Sequence, residues 1–451
     1  MEAILYLAIM LAIILLWFIL LKRPVYEAVL ISFIALVGIT NQWSSIGTYI
    51  LDGMNTSLIY SMTVFVAMSI LMTKTKIIDS AVAVILVLLG RVTGGAGYVS
   101  VAASSFMGAL SGSGPGNVMA TGAITIPAMK RSGFPPELAA NIESTSSYLG
   151  NMIPPSSNIV AALGAYMAMY PDAELTTGQF WVVCWGCALW FILQRFLTVF
   201  AFCKYYKVKP MKKEDLPDLK ETLRAGWQGL LLPVIILLPF VLDFFFKDNF
   251  FTARLGAEGA KYFSSSMLYF IAGVAAIFAY IVVKRKQDLP MRDVVKMFSG
   301  SIKSLSPAIG TCLFGYMIGS LFADLNVAES LQAVVGSLHM GKLGLCLILP
   351  LFACIMGMVI PGSSLVVMFG GVFISLFAGV GVDPLLVAAM LPCICGVMCG
   401  ITPPLALGMY AGMSIAESDF GKTVKNDLWW VAIQYALEVI VLMGWLPILG
   451  L

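Results

Sequence analysis

Long apolar runs separated by short polar or charged turns dominate this chain. Ala3 to Leu21 is an unbroken apolar run of 19 residues, about the length that crosses the hydrocarbon core of a bilayer as a helix. Further runs predict crossing helices at Val25–Thr40, Ser57–Thr73, Phe180–Cys203, Leu230–Phe246, Met267–Val283, Ser304–Ala323 and Trp430–Leu446. Two regions break the pattern. Residues 93–129 carry no charge over 37 positions, and as one helix would extend about 55 Å at ~1.5 Å per residue. Ser111-Gly-Ser-Gly-Pro-Gly-Asn117 interrupts them, because glycine and proline at that density disfavour helix. Each flanking arm is then about 12–14 residues, or roughly 20 Å, too short for a ~30 Å core. The expectation is a re-entrant hairpin that starts beside Arg91 and leaves at Lys130-Arg131 on the same side. Gly344–Val382 repeats this around Ile360-Pro-Gly-Ser-Ser364.

Each expected hairpin is followed by an apolar stretch broken by two prolines: Pro154-Pro155 within Glu137–Tyr170, and Pro403-Pro404 within Pro384–Ala416. Each reads as two half-helices around an unwound point. The two regions are also copies. Met107-Gly108 precedes Pro154-Pro155 by 47 positions, and Met356-Gly357 precedes Pro403-Pro404 by the same 47. At the common offset of 249, Gly122 falls on Gly371, Pro135 on Pro384 and Ala139-Ala140 on Ala388-Ala389.

Charge gives the copies a direction. With the amino terminus outside, 22 of the 27 Lys and Arg residues lie on the cytoplasmic side, at 22–23, 74–76, 91, 130–131, 204–224, 284–303 and 422–425. Lys247, Arg254, Lys261 and Lys342 lie outside, and Arg195 falls within a span. The positive-inside rule selects this orientation, which places both termini in the periplasm. The loop Lys130-Arg-Ser-Gly133 is basic, whereas its counterpart Ala378-Gly-Val-Gly-Val-Asp383 has no basic residue. An odd number of crossings separates the copies, so they are expected to be inverted repeats, a signature of secondary transporters.

Composition agrees with a lipid environment: 60% of residues are hydrophobic, 11% are charged, and mean hydropathy is +0.93. A soluble domain has about 25% charged residues. The fold class is therefore an all-α polytopic membrane protein, which excludes a soluble enzyme or secreted scaffold. A net charge of +3 gives no reason to expect nucleic acid as a partner. Only Glu2 precedes the first run and no small-residue cleavage site ends it, so it reads as a retained helix rather than a signal peptide. Cys184-x-x-Cys187 and Cys393-x-Cys395-x-x-x-Cys399 have no acidic or histidine neighbours in sequence and read as small hydrophobes. The lone His339 lies outside the spans, so neither a metal cofactor nor an enzyme's nucleophile–base pair is expected.

Non-helical backbone at membrane depth is tolerated only where protein buries it or it lines a cavity. Two hairpin tips and two Pro-Pro points therefore mark a polar site near the midplane. Ser111, Ser113, Asn117, Ser156, Ser157, Asn158, Ser363, Ser364 and Thr402 supply oxygens suited to a hard cation; Gly112, Gly114, Thr121 and Asn151 complete the candidate set. Half-helix amino ends suit an organic anion. Glu143, in Asn141-Ile-Glu143-Ser-Thr-Ser-Ser147, is an acid within a span and hence a functional candidate. It could carry a coupling proton, complete a cation site or cap a hydrogen-bond network. Arg195 is expected to snorkel to the cytoplasmic interface, Glu438 has no assigned role, and 207–224 reads as a connector. A channel would need a continuous polar path, whereas these polar residues concentrate at discontinuities.

Met107-Gly-Ala-Leu-Ser-Gly-Ser-Gly-Pro-Gly-Asn-Val-Met-Ala-Thr-Gly-Ala-Ile-Thr-Ile-Pro-Ala-Met-Lys-Arg131 closely resembles the large membrane (M, DctM-like) subunit of tripartite ATP-independent periplasmic (TRAP) transporters. Ile153-Pro-Pro155 and Ile401-Thr-Pro-Pro404-Leu-Ala-Leu-Gly-Met-Tyr-Ala411 resemble the same family, and the Glu143 context looks more like its TAXI-type branch. The resemblance implies an elevator mechanism in the bacterial inner membrane, of the ion transporter superfamily kind. It divides the chain into scaffold helices at 1–56, a first repeat at 57–203 (hairpin about 95–129, broken helix about 137–170), a connector and central scaffold at 204–303, and an inverted second repeat at 304–451 (hairpin about 344–382, broken helix about 384–416). Ser111–Asn117 with Pro154–Asn158 would form one cation half-site, and Pro361–Ser364 with Thr402–Pro404 the other, with sodium at Ser113, Asn117, Ser363 and Thr402. Gly362, Pro155 and Pro403 fall inside these segments. The implied function is symport of a small organic anion (a dicarboxylate, 2-oxoglutarate or glutamate-like) driven by Na⁺ or H⁺. The implied partners are a periplasmic TAXI-type binding protein and a separate small four-helix (Q-type) membrane subunit. The alternative is a stand-alone sodium- or proton-coupled organic anion transporter of the same superfamily.

Overall fold

The computed structural model describes residues 2–451 apart from 18–20, 56–59, 61–62, 65–67, 69–70, 73–74, 76, 112, 172, 212–213, 215, 217, 285–289, 328–329, 331–332, 334–336, 338–339, 359 and 404–405. Among the described residues the fold is all helical. The chain opens with α1 (Glu2–Leu15), α2 (Val25–Ile39), α3 (Ile46–Asn55) and α4 (Ile77–Leu89). Then α5 runs over 95–111 as Gly95–Val99, a π-helical turn Ser100–Ser104 and Ser105–Ser111. It is followed by α6 (Gly114–Arg131), α7 (Pro136–Leu149), α8 (Ser157–Met169) and α9 (Thr177–Tyr205). Next come α10 (Leu219–Gly226), α11 (Leu231–Phe246), α12 (Thr252–Lys284) and α13 (Met291–Asp324). The second half has α14 (Lys342–Gly357), α15 (Gly362–Gly379), α16 (Pro384–Pro392) with a π-helical turn Cys393–Val397, α17 (Leu407–Ala416) and α18 (Phe420–Leu442). Most of the expected span 57–73 lies outside the described residues.

The order α5–α9 recurs as α14–α18, and local chemistry explains where each helix begins. Ser113 caps α6, its hydroxyl accepting from the Gly116 amide, with proline in the first turn where the missing N–H costs nothing. Ser156 caps α8 and Asp383 caps α16. Thr176 and Gln179 form a capping box on α9. Each hairpin is an antiparallel pair, α5 against α6 and α14 against α15. The ends of the first lie together: the Met211 amide donates to the Gly90 carbonyl at 3.1 Å and the Lys209 amide to that of Ser132 at 3.0 Å. One segment of the connector thus holds the start and finish of the hairpin.

The arms are longer than expected. α6 and α15 each have 18 residues and α14 has 16, or about 24–27 Å at 1.5 Å per residue. The glycine and proline density predicts an unwound segment over 111–117, but the serine cap and first-turn proline restart the helix at Gly114. Helices α4 and α10, which pack on each other, were not anticipated.

The two halves exchange partners. α8 packs on α15 and α16 of the second half, while α17 packs on α6 and α7 of the first. Likewise α9 packs on α16, and α18 on α7. Glycines permit these crossings. A side chain on Gly412 would come 2.9 Å from the Ala140 carbonyl, and one on Gly370 would come 2.8 Å from Ala165. Helices α2 and α3 pack on α13, which in turn touches α15.

Candidate functional site

Both hairpin tips and both helix breaks meet at one cavity of about 190 Å³. The first tip contributes Ser113, Gly114 and Pro115, and the second contributes Pro361, Gly362 and Ser363. The break between α7 and α8 contributes Tyr148, Asn151 and Asn158; the break between α16 and α17 contributes Gly396, Cys399, Gly400 and Leu407. Four helix amino ends (α6, α8, α15 and α17) therefore face one space, each equivalent to roughly +0.5 elementary charge. Lysine, arginine, aspartate and glutamate do not occur among its described lining residues.

Close backbone approach shapes the walls. A side chain at Gly108 would collide with the Ser147 carbonyl, and one at Gly357 with the Cys399 sulfur. Gly108 and Gly357 are 249 positions apart, so each hairpin presses the equivalent glycine against a helix break. The Tyr148 ring fills the space that side chains on Gly114, Gly400 or Gly408 would need. Asn151 and Asn158 aim their amides toward Gly396 across the cavity.

The expected residues divide into groups. Ser113, Gly114, Asn151, Asn158, Pro361, Gly362 and Ser363 line the cavity. Pro154 and Pro155, joined by a cis peptide bond, are buried behind it with Ser156, while Ser157 is half-buried in the first turn of α8. Ser364 is buried in the first turn of α15, and the Thr402 hydroxyl donates to the Met398 carbonyl at 2.9 Å; neither they nor Pro403 line the cavity. Gly112, Pro404 and the Ser111 side chain lie outside the described residues. Of the four sodium candidates, Ser113 and Ser363 share the cavity, whereas Asn117 and Thr402 sit outside its wall. Tyr148, Gly396, Cys399 and Gly400 were missed; the i, i+4 glycines Gly396 and Gly400, interleaved with the Cys393–Cys399 cluster, were the available signal.

Asn117, Thr121 and Glu143 form a second polar centre, behind the first tip. Glu143 is wholly buried and its carboxylate accepts from four hydroxyls: Thr121 (2.5 Å) and Ser147 (3.0 Å) on Oε1, Thr125 (2.5 Å) and Ser100 (2.7 Å) on Oε2. The donors come from both arms of the first hairpin and from α7 itself. The Asn117 amide adds to the clasp, donating to the Ser104 carbonyl and the Ser147 hydroxyl, each at 2.8 Å.

Arg195 corrects an expectation. It does not snorkel; it is wholly buried. Its guanidinium donates to Gln194 and, at 2.7 Å, to Gln434, and lies 5.4 Å from the Trp430 ring centroid. Hydropathy along α9 alone could not reveal partners on α18.

A family model described as "Tripartite ATP-independent periplasmic transporter, DctM component" matches residues 4–449. The chain is 25% identical over 363 residues (78% of this chain, 76% of the other) to the C4-dicarboxylate TRAP transporter large permease protein DctM of Pseudomonas aeruginosa. It is 24% identical over 390 residues (83% and 81%) to the protein of the same name in Vibrio cholerae. Among solved structures, Neisseria gonorrhoeae MtrF, titled an antimetabolite efflux pump, aligns with a TM-score of 0.66 at 14% identity over 90% of this chain and 85% of that one, a likeness of fold. With the match running through both hairpins and both broken helices, the chain belongs to the DctM family of TRAP transporter large permease subunits.

Proposed function

We propose that this permease carries a small dicarboxylate-like anion across the bacterial inner membrane by ion-coupled symport, as a TAXI-type member of its family. The single observation that carries the reading is the cavity walled by both hairpin tips and both helix breaks. Its size suits a metabolite rather than a drug-sized ligand, for which pockets of 300–1,000 Å³ are usual. Two pairs of helix amino ends suit the two carboxylates of a dicarboxylate. Helix ends near a charge are worth up to about 2 kcal/mol each, and the described wall supplies no basic side chain to add to them. A co-bound cation would offset the remaining negative charge, which is a physical reason for coupling substrate to ion. The Ser113 and Ser363 hydroxyls and the asparagine amide oxygens offer the hard ligands Na⁺ takes, with H⁺ the alternative coupling ion.

The crosswise packing supports two repeats related by an inverting two-fold axis, with 57–203 and 304–451 as the repeats and 1–56 and 204–303 as scaffold. In this reading the unit formed by α5–α9 and α14–α18 slides as an elevator against α1–α3 and α13. Glu143 acts as the clasp that keeps the first hairpin on α7. A periplasmic TAXI-type binding protein delivers substrate and a small four-helix subunit completes the scaffold; both termini are periplasmic.

Uptake into proteoliposomes, with and without the binding protein and under imposed Na⁺ or H⁺ gradients, tests the proposal. Uptake that needs no binding protein would favour the stand-alone transporter. Labelling that found residues 131 and 383 accessible from one compartment would overturn the inverted arrangement.

A further inference from the structure

Behind the second helix break lies a buried ionisable cluster that the transport site does not use. Glu438 on α18 is wholly buried, as are Arg195, Gln434 and Cys393. Its Oε1 accepts from the Gln434 amide at 3.0 Å and from the Cys393 thiol at 3.2 Å. Among the described residues its Oε2 has no hydrogen-bond partner, nor has the Nε of Arg195. The guanidinium reaches Glu438 through Gln434, whose oxygen it holds at 2.7 Å while the same amide donates to the acid. Asp427, also buried, accepts from Asn141 at 3.1 Å and feels the same guanidinium.

The contrast with Glu143 decides which acid can change its charge. The Glu143 carboxylate has four hydroxyl donors, which fills the roughly four lone-pair sites of a carboxylate. Glu438 has donors on one oxygen only and a bare second oxygen, which is costly for an ion at this depth. The cluster also contains two carboxyl groups for one guanidinium. We propose that Glu438, rather than Glu143, binds the coupling proton, an inference that rests on the symport reading above. A proton from water adds to the bare Oε2, giving a neutral acid beside Arg195. On release the same oxygen returns it to water, and the carboxylate is then balanced by the guanidinium through Gln434.

Two features connect this acid to its surroundings. Cys393 opens the π-helical turn Cys393–Val397, and Gly396, three residues on, lines the substrate cavity. A charge change at Glu438 therefore acts directly on a hydrogen bond to the segment that walls the site; π-helical turns are often found at such places. On the other side, a groove of about 1,170 Å³ runs between α9 and α18, and Gln194, a partner of Arg195, is one of the residues that line it. Lys422, Lys425 and Glu137 also line it. The titratable groups around Glu438 are Arg195 from α9 and Cys393, which act on it, and Cys354 from α14, Cys395 and Cys399 around the break and Tyr435 of α18 itself, which lie within reach of its charge. Arg195 is the basic one among them.

The test uses the full permease with its small subunit and binding protein in proteoliposomes, with radiolabelled succinate as probe. An inward gradient of one pH unit, with no sodium gradient, should raise wild-type accumulation about tenfold per coupled proton. In Glu438→Gln that ratio should fall to about one, while Glu438→Asp retains part of it. A Glu438→Gln protein that keeps the wild-type ratio overturns the assignment. So does a wild type that ignores the pH gradient and follows a sodium gradient, an outcome that leaves the permease reading intact. If succinate is not transported under any gradient, it is that reading which fails. Infrared titration of the solubilised chain then still decides the acid. A titrating carboxylic C=O band that is lost in Glu438→Gln and shifted in Glu438→Asp supports it, and an unchanged band in both overturns it.

Discussion

Replacing Glu143 by glutamine measures how firmly the first hairpin is held to α7. The amide keeps one oxygen and puts an N–H₂ group where the other stood. Whichever way it turns, one serine and one threonine lose their acceptor, because each carboxylate oxygen takes one of each. The threonine has a fallback. Thr121 already shares its hydroxyl with the Asn117 carbonyl at 2.8 Å, and Thr125 with the Thr121 carbonyl at 3.1 Å. Among the described residues no comparable second acceptor holds the Ser100 or Ser147 hydroxyl. Hydrogen bonds to a charged group contribute about 1.5–3 kcal/mol each, so two lost bonds would cost about 3–6 kcal/mol. The threonine's fallback and the lower cost of burying an amide than a carboxylate bring the net to about 2 kcal/mol. At about 1 °C per kcal/mol for 451 residues, from about 2 cal/mol/K of unfolding entropy per residue, the solubilised protein should melt about 2 °C lower. Thr125→Ala should cost over 1 kcal/mol in the wild type and far less in the glutamine background, as expected for side chains in one network. A Glu143→Gln protein that melts within 1 °C of wild type, or strict additivity in the double variant, would refute the clasp.

Three further outcomes follow from the geometry. Arg195→Ala should lower stability by about 3–5 kcal/mol, the cost of leaving buried partners without their charge, and Arg195→Lys should restore little, since a point charge cannot fork between Gln194 and Gln434; an effect below 1 kcal/mol in a melting series would instead indicate an interfacial arginine. Gly357→Ala should abolish uptake at normal membrane levels by driving a methyl onto the Cys399 side chain, and Cys399→Gly, which removes both the sulfur and the Cβ it meets, should rescue it; the same cysteine change should not rescue Gly108→Ala, whose obstacle is the Ser147 carbonyl. Ser113→Ala and Ser363→Ala should each raise the cation concentration needed for half-maximal uptake several-fold, and unchanged titrations in both would remove these hydroxyls from the cation site.

What the sequence made legible was the backbone, and the reason is stereochemical. Glycine and proline act locally, so Gly114, Pro154, Pro361 and Pro403 mark the tips and breaks without reference to distant residues. Long-range side-chain pairing was not legible. Arg195 and Gln434 are 239 positions apart, and nothing along α9 distinguishes a buried arginine from one reaching for the interface. Tyr148 was passed over for a similar reason: it reads as one aromatic in a serine-rich turn until Gly114, Gly400 and Gly408 close around its ring. The arm lengths were misjudged because Ser113 and Pro115 look like helix breakers in composition, yet act as helix starters in position.

The exchange of partners between the halves bears on how such a site could move. If each repeat built its own half of the cavity on its own helices, the two halves could separate during transport and expose the substrate to lipid. Instead α17 rests on α6 and α7, and α8 rests on α15 and α16. Lys130 on α6 also donates to the Ala416 carbonyl that ends α17, at 2.8 Å. Opening the cavity by parting the repeats would therefore break all of these contacts together, including the crossings at Gly370 and Gly412 where backbone and small side chains touch. Sliding α5–α9 and α14–α18 as one body past α2, α3 and α13 leaves them intact. The α13 contacts would change instead, and they reach the moving unit chiefly through α15. A disulfide between α8 and α15 should thus leave transport largely intact, whereas one between α13 and α15 should arrest it; the reverse outcome would favour repeats that move against each other.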